Sequence, residues 1–149
     1  MTRLSIRTVL VGAAISATLI VGKAAWALDA NSGAQVVVTP LASTTATASG
    51  QPITLPQKNV QVLVSSYDIP AGATLPVHQH PFPRYAYVLS GNLQVINVET
   101  GKSKTYKPGD FIVEMIGQWH RAINASADPV KLLVIDQVEE GAQNTILQK

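Results

Sequence analysis

The sequence predicts an all-β domain, a sandwich or barrel of short strands. Three observations carry this. Short apolar runs recur from Val60 onward, turn-forming residues separate them, and no helical apolar period lies between them. Hydrophobic residues make up 46% of the 149 positions and charged residues only 13%, which excludes a disordered polar chain. The absence of cysteine excludes a disulfide-knit scaffold and is compatible with an oxidising compartment.

Residues 1–27 read as a secretory signal peptide. Arg3 and Arg7 form a positive start, an apolar stretch runs from Thr8 to Gly22, and Ala25-Trp26-Ala27 offers small residues at a cleavage exit. The apolar stretch is short for a bilayer span of about 20 residues, and an uncleaved N-terminal anchor is the alternative to a cleaved signal. An exported protein, periplasmic or secreted, is expected, with no stable membrane insertion once the signal is removed. Arg3, Arg7 and Lys23 leave with it, so the remainder carries eight Lys/Arg against nine Asp/Glu. The basic balance of the whole chain therefore belongs to the export signal, and no nucleic-acid footprint is left.

Residues 28–58 are rich in Ala, Ser, Thr, Gly and Pro and read as a flexible leader, with Val36-Val37-Val38 able to pair as a short edge strand. The domain proper spans 59–140. Its strand candidates are Val60–Tyr67, Tyr85–Leu89, Leu93–Val98, Lys102–Tyr106, Phe111–Glu114 and Val130–Val138. Turns fall at Pro70-Ala71-Gly72, Ser90-Gly91-Asn92, Glu99-Thr100-Gly101, Pro108-Gly109-Asp110 and Ala127-Asp128-Pro129. Lys102, Lys104 and Lys107 read as a solvated strand face. Residues 141–149 are a tail that forms either a last strand or a loose end.

The chemistry concentrates in the only three histidines, His78, His80 and His120. On a strand, His78 and His80 project from one face, because side chains repeat every second residue. Neutral imidazoles held together suit a divalent transition metal. Their context is regular: Gly72, five residues, His78-Gln79-His80, three residues, Arg84, six residues, Gly91. Further on come Gly109, five residues, Met115, one, Gly117, two, His120, three, Asn124.

These two stretches resemble the paired motifs of the cupin superfamily, and the short gap from Asn92 to Pro108 is similar to that of small single-domain members. The resemblance covers residues 65–140 and implies a double-stranded β-helix, the jelly-roll barrel. It also implies that His78, His80 and His120 ligate one metal ion, of which Fe, Mn, Ni and Zn are all compatible. Two positions depart from the family: Arg84 stands where it has glutamate, and Met115 where it has proline.

A guanidinium has no lone pair to offer a metal. Either three histidines hold the ion alone while Arg84 clamps an anionic substrate, or another residue completes the shell, or the metal is lost and the barrel binds a ligand directly. Glu114, Tyr85, Tyr87 and Gln118 are the candidates for completion. Glu114 interrupts an apolar run and is either an outward strand residue, a partner of Arg84 across the cavity, or a carboxylate ligand. Arg84 and Glu114 are accordingly the candidate catalytic residues. Phe82, Tyr85 and Tyr87 either line the cavity mouth or simply pack. Trp119 and Arg121 should point away from the metal, and Asn124 is expected to be structural.

The resemblance implies a small metal-dependent enzyme of the non-haem oxygenase type, and Arg84 points to a small anionic organic substrate, an enolisable molecule being the other candidate. A non-catalytic metal- or metabolite-binding module and an isomerase are the alternatives, the latter short of spare acid–base groups. A homodimer through sheet edges is compatible with the sequence.

Overall fold

The computed structural model describes residues 26–28 and 36–149. Apart from Trp26 and Ala27, the segment read as a signal peptide lies outside them. Among the described residues no helix is long and apolar enough to cross a membrane. The chain divides into two units, residues 1–39 and 40–149. In the first, β1 (Trp26–Leu28) pairs antiparallel with β2 (Val36–Val38), so the expected short strand forms.

The second unit is a two-sheet all-β jelly roll. One sheet has the order β3 (Val60–Ile69), β10 (Val130–Glu139), β5 (Arg84–Ser90), β8 (Phe111–Val113). The other has β11 (Ile146–Leu147), β4 (His78–Gln79), β9 (His120–Ile123), β6 (Leu93–Asn97), β7 (Ser103–Tyr106). All neighbours within the sheets are antiparallel.

Alternation builds the core. On β10, Val130, Leu132, Val134, Asp136 and Val138 are buried while their neighbours are exposed or half-buried. Ala86 and Val88 from β5, Leu93 and Val95 from β6, and Ala122 from β9 meet them between the sheets. Each fully buried Val or Leu contributes about 1.5–3 kcal/mol. Asp136 is the exception on that face, a carboxylate placed inward by its register.

The β5–β6 turn requires glycine. Gly91 has φ +74°, and a Cβ there would lie 2.7 Å from the Pro129 carbonyl oxygen and 2.8 Å from Val130 Cγ2. Asn124 is structural, as expected. Fully buried, it donates through Nδ2 to the carbonyls of Ile69, Pro70 and Asp128 and accepts from Ser126.

One segment departs from expectation, and another is decided by the structure. The Ala/Ser/Thr-rich stretch is no loose leader over residues 44–53, but a strap bound to the barrel. Ala46 bridges Pro52, Ala48 N–H donates to Val113 O at 2.8 Å, and Thr47 is buried. The Gln51 amide clasps Ile116 from both sides, donating to its carbonyl at 2.9 Å and accepting from its N–H at 3.2 Å. Small polar residues read locally as tether, whereas these bonds join positions 65 residues apart. The tail, left open above, forms β11 beside β4, and Gln148 N–H donates to Val77 O at 3.0 Å.

Candidate metal centre

Four side chains converge between the sheets. His78 on β4 stands directly opposite His120 on β9. His80 follows β4 and is held by a bridge to Ile116, with Gly117 N–H donating to its carbonyl at 2.8 Å. Glu114 follows β8, anchored where its N–H donates to Arg84 O at 2.9 Å. One ligand atom from each of the four lies within 4.8 Å of the others. All three histidines are buried, and Glu114 keeps 15% side-chain exposure.

The hydrogen bonds define which nitrogens face the centre. His78 Nδ1 meets Pro76 O at 2.7 Å, His120 Nδ1 meets Gln118 O at 2.9 Å, and His80 Nδ1 meets Asn144 O. A carbonyl only accepts, so each Nδ1 carries the proton and each neutral ring leaves its Nε2 lone pair free. Yet Nε2 of His80 and of His120 lie 3.0 and 3.1 Å from the same Glu114 Oε2. Lone pairs and a carboxylate oxygen repel unless a cation lies among them, either a second proton on a ring or a metal ion.

Burial pushes Glu114 up, but its hydrogen bonds with His120 and His80 outweigh this and hold the carboxyl far below the usual range. Burial likewise lowers His120, and the bond to Glu114 overrides it in the opposite direction. His78 lacks that bond, and desolvation takes it down to about 4. The donor set therefore fits a divalent transition ion. It has three imidazole nitrogens and one carboxylate oxygen, and each imidazole is oriented by a carbonyl behind it. Spacings of about 3.0–3.5 Å are also what bonds of about 2.1 Å impose on ligands sharing one ion.

Beside the cluster lies a cavity of about 20 Å³, walled by Tyr67, Leu75, Leu93, Leu132 and Val134. That is room for about one water.

Arg84 is inward and buried, but its fork is already filled. Nε donates to Asp136 Oδ1 at 2.7 Å and Nη2 to Asp136 Oδ2 at 2.9 Å. The expectation that Arg84 clamps an anion must be revised accordingly, because a neutralised bidentate guanidinium has little left for a second carboxylate. Nor does it pair with Glu114, which turns to the histidines instead.

Of the residues weighed as a fourth ligand, only Glu114 joins the cluster. Tyr85 and Tyr87 lie on the half-buried face of β5, opposite Arg84, Ala86 and Val88, and Tyr85 stacks on Phe111 with centroids 6.0 Å apart. Gln118 contributes its backbone carbonyl to His120 and its side chain to Asn97. Arg121 is exposed and Trp119 half-buried.

Two residues that the sequence did not single out complete the surroundings. Asn144 donates through Nδ2 to Asp136 Oδ1 at 2.6 Å, accepts from Phe82 N–H at 2.9 Å, and gives its carbonyl to His80. Asp136 thus connects Arg84 to Asn144, and Asn144 connects both to a histidine of the centre. The inward parity of Asp136 on an apolar strand was the available signal; nothing local marks Asn144.

Comparison with known proteins places this geometry. The family profile Cupin_2, described as "Cupin domain", matches residues 65–136, which contain both histidine motifs. No curated protein matches the chain significantly. Among solved structures, the polyketide cyclase RemF from Streptomyces resistomycificus matches with TM-score 0.51 at 18% identity, over 59% of this chain and 62% of that one. This chain therefore spans less than two thirds of the cyclase, and such a likeness speaks for the fold alone. An uncharacterized conserved protein with a double-stranded β-helix domain from Klebsiella pneumoniae gives TM-score 0.48 at 23% identity, over 66% and 82% of the two chains. Oxalate decarboxylase from Lactobacillus farciminis gives 0.48 at 19%, over 60% and 27%. From the family match over both motifs and the jelly roll that carries them, residues 65–136 of this chain form a cupin domain.

Proposed function

We propose that this protein is an exported metal-binding cupin that holds one divalent transition ion, Fe, Mn, Ni or Zn, through His78, His80, His120 and Glu114. The observation that carries the reading is the convergence of histidine Nε2 lone pairs on a half-buried carboxylate oxygen. In the enzymatic form of the proposal it is an oxygenase-type catalyst for a small anionic organic substrate. A bound ion supplies Lewis-acid or redox chemistry. The residues do the rest: carbonyls fix the imidazoles, Glu114 offsets positive charge, and Leu75, Leu93, Leu132 and Val134 keep bulk water out.

A second reading, a non-catalytic metal or metabolite module, is favoured by the cavity of about 20 Å³, which admits a water-sized guest and no organic substrate without movement. Elemental analysis of untagged protein from the exported fraction tests the shared core, with about one metal equivalent expected. Metal-free protein that cannot be reconstituted would overturn it. Oxygen uptake by the loaded protein with small organic acids separates catalyst from module.

We also propose a homodimer through the outer face of the β3–β10–β5–β8 sheet. Edge strand β3 spans ten residues with no lysine or arginine to blunt it, and Val62 and Val64 are 55% and 63% exposed. Register continues that apolar surface: Val64 faces Ile135 and then Tyr85, while Leu133 faces Tyr87 and then Phe111. A second copy of the same strand is the complementary occupant for an apolar edge that is unpaired among the described residues.

A further inference from the structure

A cavity of about 320 Å³ lies between the strap and the β6–β7 hairpin, outside the metal centre. We propose that it is a binding site for a small organic carboxylate. The inference rests on the reading of an anionic substrate or effector but moves its recognition from Arg84 to Lys102 and Lys104.

The size falls at the lower end of small-molecule pockets, about 300–1,000 Å³. Among the described residues Lys102 and Lys104 line it and no acidic side chain does. Among the described residues the only lysine in an ion pair is Lys131, with Asp68. The two ammonium groups are therefore uncompensated, and Lys104 Nζ sits 4.7 Å from the Tyr106 ring centroid, held above the cavity wall.

A third donor is oriented by the backbone. Asn97 Oδ1 accepts from the N–H groups of Glu99 and Thr100, which turns its Nδ2 toward Gln118 Oε1 at 2.9 Å. Gln118 must then present its amide N–H pair elsewhere, and it has no partner for that pair among the described residues. Val95, Tyr106 and Met115 supply apolar walls, so cations and an amide donor stand over a short greasy floor. That combination recognises a carboxylate with a compact apolar body, and rejects its neutral amide.

The strap builds the opposite wall with Ala48 and Ser49, fixed by the Gln51–Ile116 clasp. Val95 lines both this cavity and the one beside the metal cluster, and Gln118 O orients His120. An occupant would pack against the far side of the wall that supports the centre.

The test is an NMR titration of the protein, metal-free and zinc-loaded, with acetate, succinate and benzoate against benzamide. At least one carboxylate should saturate in the millimolar range and shift Lys102, Lys104 and Gln118 amides in both forms, while benzamide does not. The double variant Lys102→Gln/Lys104→Gln, at two exposed positions, should weaken binding about tenfold or more and leave metal content unchanged. No saturation by any of the acids below about 50 mM overturns the proposal, as does equal binding by the variant or by benzamide. Binding seen only with metal would assign the anion to the metal centre, overturning this site while sparing the metal reading.

Discussion

Arg84 and Asp136 face each other in register across β5 and β10 and close a two-point ion pair inside the barrel, at 2.7 and 2.9 Å. Both side chains are over nine-tenths buried. Burial opposes the charge on Arg84, and the bond to Asp136 overrides it and raises its pKa. Removing one partner strands the other, so Asp136→Ala should destabilise the fold by about 3–5 kcal/mol in urea unfolding. The double change Arg84→Met/Asp136→Leu should lie closer to wild type than the single one. A cost below about 1 kcal/mol for Asp136→Ala would mean that the guanidinium reaches water.

Asn144 ties that pair to the metal centre, since it holds Asp136 with its side chain and His80 with its carbonyl. Deleting residues 143–149 removes that carbonyl and β11 together. Metal affinity should fall about 10–100-fold, the usual cost of losing a group that orients a ligand, while far-UV circular dichroism stays that of a β protein. Unchanged affinity would show that His80 keeps its orientation without the tail.

Replacing a ligand itself should cost more. His80→Ala and Glu114→Gln are each expected to lower zinc affinity more than about 100-fold in competition with a chelator. The glutamine variant is the sharper probe, because it preserves shape and removes only the anionic oxygen. Full affinity in it would exclude Glu114 from the shell and return the site to three histidines.

In metal-free protein two of the imidazoles should titrate on opposite sides of the ordinary value of 6.5. His78, desolvated, stays neutral down to about pH 4, so between about 4 and 6.5 the unfolded chain holds more protons. Its contribution to stability is present above that window and lost as pH falls through it. For His120 burial is outweighed by Glu114, and the sign reverses: stability is present below pH 6.5 and lost as pH rises through the raised value. Nitrogen-15 NMR of labelled histidines measures both, and identical midpoints would contradict the asymmetry.

The proposed dimer face gives a further check. Val62→Lys with Val64→Glu places charges on exposed positions of β3, so folding should be preserved while sedimentation shifts from dimer to monomer. A wild-type protein that is monomeric at about 100 µM would end the proposal.

Much of this was legible because it is local. Alternation on Val130–Val138 and the turn residues around Gly91 are short-range patterns that predict an all-β sandwich or barrel, while the metal-binding cluster was implied by the resemblance that the two histidine motifs carry. The strands that carry the histidines were harder to read, since β4 and β9 are two and four residues long and polar. Three features were decided only by the tertiary structure. Glu114 turns to the histidines because β8 ends just before it, Arg84 is neutralised because strand register sets Asp136 opposite, and Asn144 reaches His80 because the tail pairs with β4. Each joins residues far apart in the chain. A sequence specifies the type and parity of its side chains locally, but which charge meets which is settled when the sheets close around a space too small for an unpaired ion.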